Sequence, residues 1–185
     1  MRYFWSKKER PIRKEQRGSS LKKVVLVGNP NVGKSVLFNR MTGLYAAVSN
    51  YPGTTVEVSR GRGYFMGEEL EVVDTPGMYS LLSITAEEKV ARKLLFMERP
   101  NVVIHVVDGR HLERMLSLTL QLLEAELPLI VAVNLMDEMR RLGLSLRADR
   151  LSRRLKAPVI LTAATLNVGI DELKKKVGEL VYKAV

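Results

Sequence analysis

The 185-residue sequence predicts an α/β domain. A mostly parallel sheet of six strands, with one antiparallel strand at its edge, carries helices on both faces. Three observations carry that expectation. Short apolar runs alternate with helical stretches from residue 22 onward, the pattern of buried parallel strands joined by crossover helices. Two strand-like segments flank Gly67-Glu68, which reads as a hairpin. The first strand runs into a glycine-punctuated loop that opens a helix.

Each element has its own local reason. KKVVLVG (22–28) is a short apolar run bounded by glycine, hence a buried strand. KSVLFNRMTG (34–43) has helical spacing and stops at Gly43. TVEVSRGRGYFM (55–66) and ELEVVD (69–74) are the arms of the hairpin. Residues 85–98 form a charged amphipathic helix closed by Pro100, and VVIHVVD (102–108) is the next buried strand. LERMLSLTLQLLEAE (112–126) is a helix and PLIVAVN (128–134) a strand. RADRLSRRLKA gives a short helix, PVILTAA (158–164) the last strand, and the stretch from Gly169 a final amphipathic helix.

Composition narrows the class. The chain has no cysteine and two histidines, which excludes a disulfide framework and any Cys-based zinc or iron–sulfur site. No apolar run reaches the about 18 residues that span a bilayer, and the N-terminus lacks the apolar core of a signal peptide, so a soluble cytoplasmic chain is expected. Residues 1–23 hold nine Lys or Arg and two Glu, so +7 of the net +10 sits there and only +3 on the remaining 162 residues. Residues 1–20 have no strand or helix period and are punctuated by Pro11 and Gly18. They are expected to be a flexible basic arm, with residues 21–185 as the domain proper. The aromatic cluster Tyr3-Phe4-Trp5 beside Lys and Arg suits a membrane surface or RNA.

GNPNVGKS (28–35) fits G-x-x-x-x-G-K-[ST] in full, between a strand and a helix as that motif requires. Its glycines let backbone N–H groups turn inward around phosphates, and the following helix adds its positive end. Lys34 can reach the β- and γ-phosphates and Ser35 can ligate Mg²⁺. The nucleotide contacts expected from the cradle are Asn29, Asn31, Val32, Gly33, Lys34, Ser35 and Val36.

Asp74 ends a strand on the same sheet edge, where its carboxylate can hold a Mg²⁺ water. The amide of Gly77, in DTPG (74–77), can bond the γ-phosphate. NYPGTTVE (50–57) lies where a mobile loop would cross the nucleotide. Thr55 is the expected second Mg²⁺ oxygen, with Thr54 as the alternative. Residues 45–60 and 77–85 are the two expected switches. NLMDE (134–138) supplies the base: Asp137 can accept from guanine N1–H and the exocyclic amine, a donor pair that adenine lacks. Asn134 can bond N7 and tie loops together, with Leu135 between them. In TAAT (162–165) the amides of Ala163 or Ala164, after Thr162, can meet guanine O6.

The ordered set GNPNVGKS, TTVE, DTPG, NLMD and TAA resembles the Era-like GTPases, and the fold it implies is the Ras-like P-loop domain. GNPNVGKSVLFNRMTG, VSNYPGTTVE, DTPGMYSL and VVDGRHLERMLSLTLQLLEAELPLIVAVNLMDE narrow this further. They resemble the cytosolic G domain of the ferrous-iron transport protein B family, over residues 22 to about 181. Two positions depart from, or qualify, the pattern. Ala163-Ala164 stands for the family's usual Ser-Ala. Met136 stands where many GTPases carry a lysine, which implies modest guanine affinity.

The resemblance implies a GTP-hydrolysing switch that cycles between GDP and GTP and regulates Fe²⁺ transport. The implied place is the inner face of the cell membrane, with the membrane-embedded part of the transporter, or a homologue of it, as partner. A dimer or higher oligomer would form through the switch surface. Nucleic acid is not the expected partner, although a ribosome- or RNA-associated Era-like GTPase is the competing reading and a non-hydrolysing scaffold a third. Glu138, Asp171 and Glu172 read as helix-start residues, not iron ligands. Met78 stands where many GTPases carry a water-orienting glutamine, and a thioether cannot do that. Slow hydrolysis is therefore expected, with Lys34, Asn31, Thr55 and Gly77 as the catalytic set. Relatives with an asparagine at the position of Asn31 use it to bind K⁺, which neutralises charge between the β- and γ-phosphates.

Overall fold

The computed structural model describes residues 21–43, 46–82 and 84–183. The basic arm expected over residues 1–20 lies outside them, as do Tyr45 and Ser83 of the two expected switches. The order of elements is β1 (Lys23–Val27), α1 (Lys34–Thr42), β2 (Ala46–Asn50), β3 (Glu57–Phe65), β4 (Glu68–Asp74), α2 (Ala86–Met97), β5 (Val102–Asp108), α3 (Leu112–Glu124), β6 (Leu129–Asn134), α4 (Met136–Arg141), α5 (Ala148–Leu155), β7 (Val159–Leu161) and α6 (Ile170–Lys183). Among the described residues no helix is long and apolar enough to cross a membrane.

The strands form one sheet in the order β2-β3-β4-β1-β5-β6-β7. That is seven strands where six were expected. The additional one is β2, all five of whose residues are exposed, so it carries no burial pattern for the sequence to reveal. The expected antiparallel strand exists but is not the edge. β3 runs antiparallel to both β2 and β4, and β2 covers its outer side. The remaining pairings are parallel. The hairpin turn falls at Met66 and Gly67, both with positive φ, as a two-residue turn of matching twist requires.

Alternation along the buried strands separates two cores. Val24 and Leu26 of β1 face Leu37, Phe38 and Met41 of α1 and Leu173 and Val177 of α6. Val25 and Val27 face the opposite way, toward Val90 and Leu94 of α2 and Leu118 and Leu122 of α3. α2 starts on a capping box: Thr85 accepts from the Glu88 amide and the Glu88 carboxylate accepts from the Thr85 amide. The parallel registers set Leu26 beside Asp74, Val27 beside His105 and Asp108 beside Asn134. The carboxyl ends of β4, β1, β5 and β6 therefore share one edge, where open α/β sheets hold their ligands.

Candidate functional site

The cradle begins where β1 stops. Its last glycine, Gly33, has φ of 85°, and a Cβ there would lie 2.3 Å from Asn134 Nδ2, so a side chain is excluded on both counts. Asn31 also sits in the left-handed region, at φ 63°, with an exposed side chain that makes no hydrogen bond among the described residues. Val32 is buried, Val36 is exposed on α1, and the buried Oδ1 of Asn29 has no partner.

Lys34 turns inward and donates its Nζ to Asp74 Oδ1 and to the carbonyl of Thr75. Ser35 Oγ donates to Asp74 Oδ2 at 2.7 Å. Lys34 and Asp74 are both buried, so each charge depends on the other. This set answers a hard cation in kind: a hydroxyl and a carboxylate within hydrogen-bond distance, with no thiolate or imidazole. Among the described residues no group of three His, Cys, Asp or Glu side chains gathers around a metal position. A Mg²⁺ ion at Ser35 and Asp74 would therefore complete its shell with phosphate and water.

The segment after β4 is pinned from several sides. Thr75 Oγ1 donates to the Leu26 carbonyl at 2.9 Å, and the Met78 amide donates to the Gly28 carbonyl at 3.0 Å. Between them the Gly77 amide makes no hydrogen bond among the described residues. The Met78 side chain is fully buried beneath α2. The Glu88 carboxylate collects the amides of Tyr79, Ile84 and Thr85. Those bonds, led by the one from Ile84, hold its carboxyl below the usual value. Gln121 of α3 adds a bond to the Leu81 amide at 2.7 Å. This fastening was not legible in advance, although the capping-box pair Thr85 and Glu88 was the available signal for part of it.

The first expected switch includes parts of two strands. Residues 46–50 and 57–60 belong to β2 and β3, which leaves a connecting turn at 51–56. Thr54 Oγ1 closes that turn, donating to the Tyr51 carbonyl and accepting from the Val56 amide. Thr55 is exposed, and no contact joins it to Ser35 or Asp74. The reason is packing: Tyr51 and Val56 join the core beneath α2, and Lys93 of α2 lies over the Tyr51 ring, so the turn rests on the α2 side.

The base loops meet at Asn134, which is 1% exposed. Its Nδ2 donates to the Val32 carbonyl at 3.0 Å. Its Oδ1 accepts from Thr162 Oγ1 at 3.1 Å and from the Ala164 amide at 3.0 Å. The Ala163 amide donates to the Val168 carbonyl, so both amides expected to meet guanine O6 are engaged within the protein. Arg40 of α1 holds this loop by the carbonyls of Ala164 and Thr165, a clasp with no local sequence signal. Leu135 takes φ 64° and launches α4, and Asp137 stands in its first turn with a buried Oδ1 that has no partner. Glu138 shares that turn, while Asp171 and Glu172 occupy the first turn of α6.

A sequence profile described as ferrous iron transport protein B matches residues 22–177. The Fe(2+) transporter FeoB of Escherichia coli K12 is 40% identical over 163 residues, which are 86% of this chain and 21% of that protein. The chain thus spans about a fifth of the length of the curated relatives it matches. The FeoB G-domain from Methanococcus jannaschii superposes with a TM-score of 0.77 at 40% identity, covering 86% of this chain and 97% of that one. The cytosolic domain of the T. maritima FeoB iron transporter in its GMPPNP form gives 0.84 at 38% identity, over 88% and 64% of the two chains.

Proposed function

The chain belongs to the ferrous iron transport protein B family, and from that premise we propose that its folded part is a guanine-nucleotide switch that hydrolyses GTP and regulates ferrous iron transport. The observation that carries this reading is the convergence at Asn134. One buried side chain fastens the phosphate loop to the base loop, beside a buried Asp137 oxygen left without a partner. A buried carboxylate oxygen in that condition is costly unless a ligand supplies donors, and guanine N1–H and its exocyclic amine are a matching pair.

The chain's own groups divide the work. Lys34 exchanges the Asp74 carboxylate for the β- and γ-phosphates, which frees Asp74 and Ser35 to face Mg²⁺. The unbonded Gly77 amide donates to the γ-phosphate. Thr55 must leave the α2 side to reach the same place, so occupancy by GTP costs the packing of Tyr51 and Val56 and is lost with the γ-phosphate. Met78 takes no part, and backbone groups around Thr55 and Gly77 hold the attacking water. Asn31, exposed and unbonded at the outer rim of the cradle, is the K⁺ contact. Bound Mg²⁺ and K⁺ supply neutralisation of the charge that develops on the phosphate oxygens.

The partner is the membrane-embedded part of an iron transporter, at the inner face of the cell membrane. Support comes from the segment just after Gly77, which exposes Tyr79, Leu82 and Ile84 where a change at the γ-phosphate would move them. The test is binding of GDP, GTP, ADP and ATP by the whole chain with Mg²⁺, beside Asp137→Asn. Guanine nucleotides should bind and adenine nucleotides should not, and the variant should turn toward xanthine nucleotides. Equal binding of GDP and ADP by the unmodified protein would sink the base assignment.

A further inference from the structure

We propose that Arg110 is a positioning residue for guanine selectivity: through Asp108 and Glu138 it clamps the short helix that presents Asp137. The inference rests on the reading of Asp137 as the guanine contact.

α4 has six residues, far below the length at which a helix holds itself in water. Something outside it must fix the direction of Asp137. Beyond the bond from the Met136 amide to the Thr162 carbonyl at 3.2 Å, which ties down the first residue of the helix, two contacts do so from the turn that follows β5. The first is apolar. Met139 is buried against Gly109, and a Cβ on Gly109 would lie 2.2 Å from the Met139 sulfur, so the turn and the helix touch as closely as backbone allows. The second is ionic. Arg110 Nη1 donates to Glu138 Oε2 at 3.0 Å, one residue beyond Asp137.

Arg110 is itself anchored. Its amide and Nε donate to Asp108 Oδ1 at 2.8 and 3.0 Å, and its Nη2 donates to Asp108 Oδ2 at 2.7 Å. Burial alone would raise the Asp108 carboxyl, yet the Arg110 bonds hold it below its ordinary value. Asp108 pairs in register with Asn134, the residue that joins the cradle to the base loops. A rigid path therefore runs from the sheet edge at Asn134 through Asp108 and Arg110 to Glu138. The other cation near Glu138, Arg141, is 3.7 Å away and mostly exposed, too loose to define a direction. Only a guanidinium can grip one carboxylate with two edges and reach a second with the remaining nitrogen, so lysine is not equivalent here.

The experiment compares GDP with inosine diphosphate, which lacks the exocyclic amine and so offers Asp137 one donor instead of two. Dissociation constants are measured for the whole chain and for Arg110→Ala, Arg110→Lys, Glu138→Gln and the double variant Arg110→Ala/Glu138→Gln, with thermal unfolding alongside. In Arg110→Ala the preference for GDP over inosine diphosphate should fall about tenfold, the scale of one well-aligned bond to a charged acceptor. Glu138→Gln should shift the same ratio in the same direction, the double variant should add nothing further, and Arg110→Lys should recover only part. A merely structural defect would weaken both nucleotides by one factor and leave the ratio alone. An unchanged ratio in folded Arg110→Ala overturns the clamp, and if that variant does not fold, an unchanged ratio in the near-isosteric Glu138→Gln does so. If the unmodified chain fails to distinguish the two nucleotides, the guanine reading of Asp137 falls, and the clamp with it.

Discussion

Asn134 at the end of β6 and Val32 in the loop after β1 are 102 residues apart in sequence, yet Asn134 Nδ2 donates to the Val32 carbonyl at 3.0 Å. With Oδ1 on the Ala164 amide, one amide side chain holds both halves of the site. Asn134→Ala leaves a buried carbonyl and a buried amide without partners, which should cost about 2–4 kcal/mol in urea unfolding. Nucleotide affinity should drop at least about tenfold, by titration with a fluorescent GDP analogue. Stability within 0.5 kcal/mol or so of the parent would show that the two loops hold their places without it.

Replacing Met78 with the glutamine found in many GTPases should not speed hydrolysis. The side chain is fully buried beneath α2, so Met78→Gln puts an amide into an apolar core instead of aiming it at water. Unfolding free energy should fall by about 1–3 kcal/mol, and the single-turnover rate should not rise. A faster rate would place residue 78 at the reaction after all.

Potassium should accelerate hydrolysis through Asn31. GTP turnover by the chain should be slow in NaCl and faster in KCl at equal ionic strength, and Asn31→Ala should erase the difference while guanine binding survives. Equal rates in the two salts at saturating GTP would exclude a cation at this residue.

His105 predicts a pH dependence of stability. It is fully buried on β5, with Nδ1 3.0 Å from Thr119 Oγ1 and Nε2 without a partner. Burial lowers its pKa from 6.5 to about 3. Between those values the unfolded chain binds a proton that the folded chain does not. Stability from this residue is therefore complete above about pH 6.5 and is lost as pH falls toward 3. Going from pH 7 to pH 5 should cost about 2 kcal/mol, and His105→Leu, whatever its own offset, should show a flatter slope in that window. The lowered carboxyls of Glu88, Glu98 and Asp108 lose their contributions only below about pH 4.5, so they leave this interval to the histidine.

The parts of the fold legible in the sequence were those whose signal is local. Buried strands such as VVIHVVD announce themselves as apolar runs, and the cradle is a contiguous loop between a strand and a helix. β2 escaped because none of its residues is buried. For α4 the helix start at Glu138 was legible but its extent was not, because six residues after a left-handed Leu135 are too few to show a period. Of two neighbouring threonines, the sequence favours Thr55 and leaves Thr54 as the alternative. Only the turn shows that Thr54 is occupied with Tyr51 and Val56.

Which chemistry is present follows from the residue types and their order alone. Backbone amides freed by glycines, a lysine and a serine at a helix start, and carboxylates after strands imply phosphate, a hard cation and a base wherever they are gathered. Which of these groups restrains which is set only by the folded arrangement. Lys34 is paired with Asp74, Glu88 gathers the amides of Tyr79, Ile84 and Thr85, Arg40 clasps the loop after β7, and Arg110 bridges Asp108 to Glu138. Of these, the pairs that join distant segments lie tens of residues or more apart in sequence. Hydrophobic periodicity reports which face of an element is buried, but not which distant side chain will meet it once seven strands have set their order.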